Sequence, residues 1–310
     1  KNCSATTNGK NIEMTNETRS GYVAIVGRPN VGKSTLLNRI LGHKVSITSR
    51  KPQTTRKQIL GINTKDDIQT IYVDTPGLHT LKKQAINRYM NKAASSALHD
   101  VNVIIFMIDA LAWRDDDELV LQKLVDSAIP VLLVINKVDK IKDKTELFPI
   151  LEKRQAKMNF AAIFPICARS GSGVDDLEAK VISYMPPGPF MFGEDQKTDQ
   201  TIPFQIAECI REKIVRNCGQ ELPYATAVDI EEMKDDPKIF RIQAVIWVER
   251  PGQKAIIIGD RGARLKEIGT QARKDLQNLL GKKVYLNLWV KHKDNWSDSE
   301  RLLGQLGFNE

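Results

Sequence analysis

The chain has 310 residues, 41% of them apolar, and a formal net charge of +8. That length allows about two domains, and the apolar fraction allows each a sizeable core. No run of about 18 apolar residues occurs, so no membrane span is expected, and no secretion signal is expected either. The four cysteines (Cys3, Cys167, Cys209, Cys218) and four histidines (His43, His79, His99, His292) are dispersed, with neither a disulfide framework nor zinc-ligand spacing.

Residues 1–20 are polar and rich in Asn, Thr and Ser, and read as a disordered extension in which Met14 is a candidate start. From Tyr22 short apolar runs alternate with amphipathic stretches: Tyr22–Val26, Ile68–Val73, Val103–Ile108, Val131–Ile135 and Ala161–Ile166. Continuous apolar strands spaced by helices predict a doubly wound, mostly parallel α/β domain over 21–185. Pro186-Pro187-Gly188-Pro189 then opens a polar linker, 186–202. Beyond it a helix (about Phe204–Cys218), two strands (Thr226–Ile230 and Ile239–Val248), a helix pair around Gly259 and a strand (Val284–Val290) predict a smaller α+β module over 203–310.

Gly27-Arg28-Pro29-Asn30-Val31-Gly32-Lys33-Ser34 fits GxxxxGK[ST] between a strand and a helix, the context a phosphate-binding loop requires. Its backbone N–H groups and the following helix N-terminus would cradle phosphate oxygens. Lys33 would reach the β and γ phosphates, and Ser34, followed by Thr35, would ligate Mg²⁺. Asp74-Thr75-Pro76-Gly77 ends an apolar strand, where Asp74 suits the outer shell of that Mg²⁺ and the Gly77 N–H can approach the γ-phosphate. Gln53-Thr54-Thr55-Arg56 lies in a polar loop whose Thr55, or else Thr54, would complete the metal site.

Asn136-Lys137-Val138-Asp139 ends another apolar strand. A carboxylate at Asp139 would accept two N–H donors from guanine, a pair that adenine lacks. The Lys137 stem would lie over the purine face, and Cys167-Ala168-Arg169 would offer an amide to guanine O6. Taken in this order, the three motifs specify GTP over ATP. Leu78 stands where Ras-like GTPases carry a water-orienting Gln, and Leu cannot polarise water. His79 reads as solvated rather than as a base.

In the second module Ile258-Gly259-Asp260-Arg261-Gly262 contains GxxG ahead of an amphipathic helix. Glycines of this kind let a loop press against a nucleic-acid backbone. Residues 250–293 hold 11 Lys/Arg and 3 Asp/Glu, a local balance of +8, and Arg261, Arg264, Lys266 and Arg273 supply a candidate basic face. Asp260 opposes such a role, and Arg261 beside it compensates.

These residues resemble the translation-factor-like GTPases and, within them, the Era family. The marks are GRPNVGKST at 27–35, KPQTTR at 51–56, DTPGLH at 74–79, NKVD at 136–139, and the second module with its tail Trp296-Ser297-Asp298 and Leu303–Phe308. Together they span roughly 20–308. The resemblance implies a G domain followed by a type II KH domain, with Thr55 as the switch I threonine. It also implies a cytoplasmic monomer that binds GTP and GDP, contacts 16S ribosomal RNA near its 3′ end, assists small-subunit assembly, and associates peripherally with the inner membrane. Similar GTPases with Asn at the Asn30 position hold K⁺ as a charge stabiliser, so Asn30 is a candidate K⁺ ligand. Cys167-Ala168 replaces the usual Ser-Ala of the guanine loop. A rival reading is a signalling GTPase whose second domain binds protein or a membrane surface.

Overall fold

The computed structural model describes residues 17–49, 55–77, 90, 98, 100–218, 226–294 and 296–298. The expectations for 1–16, Gln53, Thr54, Leu78, His79 and Leu303–Phe308 lie outside these residues.

Residues up to 185 build a six-stranded sheet of order β2-β3-β1-β4-β5-β6. Its strands are β1 (Arg19–Val26), β2 (Ile59–Lys65), β3 (Ile68–Asp74), β4 (Val103–Asp109), β5 (Val131–Asn136) and β6 (Ala162–Ile166). β1, β3, β4, β5 and β6 pair in parallel, whereas β2 runs antiparallel to β3. All six β5 residues are buried, because a parallel sheet has helices on both faces. Helices α1 (Lys33–Leu41), α2 (Asp115–Leu124), α3 (Leu147–Gln155) and α4 (Val174–Ile182) alternate with the strands. One core gathers α1, α4 and Val23, Ile25 and Tyr72. The other gathers α2 and Ala24, Phe106 and Leu133 on the opposite face.

Two sequence expectations need correction. β1 starts at Arg19, inside the segment expected to be disordered, and its first residues pair with the proline segment: Ser20 N–H donates to Pro186 O, and Gly188 N–H donates to Thr18 O. The edge strand β2 carries no continuous apolar run. Its Gly61 admits α1, since a Cβ there would lie 2.5 Å from Leu37 Cδ1. The linker covers this edge: Ile62 N–H donates to Lys197 O at 2.9 Å, and the buried Gln69 amide donates to Phe192 O. The Ile62 N–H on the outer edge is thereby satisfied.

The second module has a three-stranded sheet, β7 (Thr226–Asp235), β8 (Ile239–Val248) and β9 (Lys283–His292), with β7-β8 antiparallel and β8-β9 parallel. β7 runs five residues past the expected end, across a register shift between Ile230 and Glu232. Helices α5 (Ile202–Asn217), α6 (Pro251–Ile258) and α7 (Ala263–Leu280) cover one face. Ile206, Cys209, Ile210 and Ile214 of α5 meet Ile268, Ala272 and Leu276 of α7 in a separate core, each set following helical spacing.

Candidate functional site

The phosphate loop leaves the C-terminal end of β1 and enters α1 through Gly32, which has a left-handed φ of 115°. Lys33 Nζ folds back onto the loop, donating to Gly27 O at 2.9 Å and Arg28 O at 3.1 Å. Burial lowers its pKa to about 8, although Asp74 pulls the other way. A small cleft lined by Pro29, Asn30, Lys33, Ser34, Thr35, Thr55 and Gly77 opens above it. Val31 is core, and Arg28 is buried and turned away from the cleft, with its Nε on Asp117 Oδ2 at 2.9 Å. Burial, partly offset by Arg28, raises the Asp117 pKa. Arg28 therefore braces the loop from beneath.

Asp74 closes β3 below the cleft. Its Oδ2 accepts from Ser34 Oγ at 2.7 Å, Ser46 Oγ at 2.8 Å and Thr55 Oγ1 at 3.4 Å. Ser34 and Thr55 hydroxyls lie 2.9 Å apart. Among the described residues, Asp74 Oδ1 is buried without a hydrogen-bond partner. Burial raises the Asp74 pKa, and the Lys33 charge and the three hydroxyls oppose that rise. Hard oxygen ligands around an unmatched carboxylate oxygen fit Mg²⁺. Thr75 is buried with its hydroxyl on Ile25 O, Pro76 is buried, and Gly77 lies against Pro29.

Sequence reasoning missed Ser46. The Asn38 side chain places it, accepting from the Val45 and Ser46 N–H groups and donating to Ser46 O. The only sequence signal is a serine within a polar loop.

The Asn136–Asp139 strand end meets the phosphate loop directly. Asn136 Nδ2 donates to Val31 O and Lys137 Nζ donates to Asn30 O, both at 2.7 Å. Lys137 also pairs with Asp109 at 2.7 Å. Burial works against the Asp109 charge, but Lys137 prevails and lowers its pKa. Ala168 N–H donates to Asn136 Oδ1 at 2.9 Å, and Cys167 is buried beside it. Asp139 stands exposed in the turn Val138–Lys140.

In the second module, the turn Asp260–Gly262 joins α6 to α7. Gly259 has φ 72°, and a Cβ there would lie 2.7 Å from Arg264 Cβ; Gly262 has φ 81°. Only glycine holds both conformations without strain. Asp260, Arg261, Lys266 and Arg273 are exposed, and Ile258 is half-buried. Arg264, also exposed, is bent back, its guanidinium donating to Ile256 O. Ile256, exposed beside the loop, is one of three consecutive isoleucines, of which Ile257 is fully buried and Ile258 packs partly against the core.

Known proteins agree with this arrangement. The 50S ribosome-binding GTPase family profile matches residues 22–137, and the KH domain profile matches 221–297. GTPase Era of Pseudomonas putida is 53% identical, over 95% of this chain and 98% of its own. The chain belongs to the Era family of GTPases. The Coxiella burnetii Era is 55% identical over 94% of this chain and 99% of its own. Among solved Era structures, an Aquifex aeolicus variant bound to GDP.AlF4- superposes with a TM-score of 0.91 at 40% identity, covering 94% of this chain and all of that one. Era in complex with MgGDPNP and nucleotides 1506–1542 of 16S ribosomal RNA also gives 0.91, at 41% identity and the same coverage.

Proposed function

We propose that this protein hydrolyses GTP as a switch, holds single-stranded 16S ribosomal RNA through its KH domain, and assists small-subunit assembly. The carrying observation is the Lys137–Asn30 contact at 2.7 Å, which puts the base-reading turn and the phosphate loop within reach of one nucleotide. Asp139 selects guanine, and Lys33 moves from the loop carbonyls to the β and γ phosphates. Bound through Ser34 and Thr55, with Asp74 behind them, Mg²⁺ would neutralise phosphate charge. Gly77 presents its N–H to the γ-phosphate. K⁺ at Asn30 is the proposed charge stabiliser, so turnover in potassium should exceed that in sodium; equal rates would remove it.

RNA backbone lies along Gly259–Gly262, with Arg261, Lys266 and Arg273 nearby. Action on ribosomal RNA places the protein in the cytoplasm. Filter binding tests the RNA reading: affinity should fall steeply with salt and collapse in the Gly259→Asp, Gly262→Asp double variant. Unchanged binding there would favour a protein or membrane partner instead.

A further inference from the structure

Between the two domains lies a carboxylate that the reactions above do not use. Glu212, on α5, is 0% exposed. It is not in the apolar stripe of that helix, and the G domain contributes to its surroundings. Lys44 Nζ donates to its Oε2 at 2.6 Å and Thr48 N–H to its Oε1 at 3.0 Å. From its own helix Lys213 reaches Oε2 at 3.0 Å and Arg216 reaches Oε1 at 2.9 Å. Arg216 also donates to Thr48 O at 3.1 Å, and Asp275 of α7 takes Lys44 at 3.2 Å and Lys213. Both Glu212 oxygens are thus satisfied, and half of their donors belong to the 44–48 segment.

That segment also touches the metal site. Ser46, between Lys44 and Thr48, is itself 0% exposed and donates to Asp74 Oδ2. One short stretch is therefore anchored at its middle to the nucleotide site and on both sides to the KH module. A cavity of about 360 Å³ lies between the 42–47 turn and helices α5 and α7. An interface held by a charged cluster beside an open groove re-docks more readily than a close-packed one.

We infer that Glu212 is a positioning residue that ties the docking of the KH domain to the state of the metal site, by holding Lys44 and Thr48 on either side of Ser46. The inference rests on the proposed GTPase and RNA-binding function. Because coupling is reciprocal, RNA held by the KH domain would favour the 44–48 arrangement seen here, and a triphosphate holding that arrangement would favour RNA.

The test measures the affinity of the full-length protein for an RNA of 16S nucleotides 1506–1542, first with a non-hydrolysable GTP analogue and then with GDP. Wild type should bind more tightly in the analogue state. In Glu212→Gln that preference should shrink several-fold toward unity, while affinities for GDP and for RNA in the GDP state stay near wild type. Lys44→Met, altering the exposed side of the same pair, should shrink it too, and reads the pair even if Glu212→Gln folds poorly. The double variant should lose little more. A wild-type ratio of one, or variants that keep the wild-type ratio, would overturn the role of Glu212. Absence of RNA binding or GTP turnover in wild type would instead sink the functional reading beneath it.

Discussion

The Lys137 ammonium sits 2.7 Å from the Asn30 carbonyl oxygen and 2.7 Å from the Asp109 carboxylate, joining the end of β5 to the phosphate loop. This contact brings together two segments a hundred residues apart. Lys137→Ala removes hydrogen bonds to a charged donor, worth about 1.5–3 kcal/mol. It should weaken GTP and GDP alike by roughly 10- to 150-fold, as read by fluorescent-nucleotide titration. A loss confined to GTP would point to phosphate recognition alone.

Lys33 makes binding pH-dependent. Burial holds its pKa near 8, and phosphate oxygens would raise it. Below about pH 8 the ammonium is already charged, so affinity should be flat. Above that pH, binding takes up a proton, and affinity should fall by up to about tenfold per unit. The same group affects stability. Its folded pKa lies below its unfolded value of 10.5, so the full penalty applies below pH 8 and disappears as pH rises past 10.5. Calorimetry in buffers of different ionisation enthalpy at pH 8.5 should detect proton uptake. Lys33→Ala should abolish both the uptake and turnover.

Gly77 is pressed onto the phosphate loop: a Cβ there would lie 2.6 Å from Pro29 N. The atoms it would meet are the backbone and ring of Pro29, which leave little room to yield. Gly77→Ala should cost about 1–3 kcal/mol in this closed arrangement. Single-turnover hydrolysis should slow accordingly, while GDP affinity, which does not need Gly77 at the γ-phosphate, should change little.

Ser46 tests the metal-site extension. Ser46→Ala removes one of three hydroxyls on Asp74 Oδ2 and keeps the Asn38 contacts to the backbone. The Mg²⁺ concentration needed for half-maximal turnover should rise, by a factor of roughly 2 to 10 for a net loss of about 0.5–1.5 kcal/mol. An unchanged Mg²⁺ dependence would reduce Ser46 to packing.

The phosphate loop, the strand-end Asp74 and the Asn136–Asp139 segment were legible because each is a local motif fixed to the end of an apolar strand. β2 was not, since ILGINTK has neither continuous nor alternating apolar character, and its edge is satisfied by a linker more than a hundred residues away. Glu212 was not legible either. Arg211-Glu212-Lys213 on an amphipathic helix reads as a solvated face, and all three are buried. For Glu212, a second domain contributes to its surroundings, which no local periodicity records.

The most direct test of the central claim is a competition between guanosine and xanthosine diphosphates for wild type and Asp139→Asn. The wild-type carboxylate should accept the guanine N1 and amino N–H pair and reject xanthine, whereas the amide of the variant should invert that preference. Strict guanine preference retained by Asp139→Asn would contradict the assignment of this turn as the base-reading element.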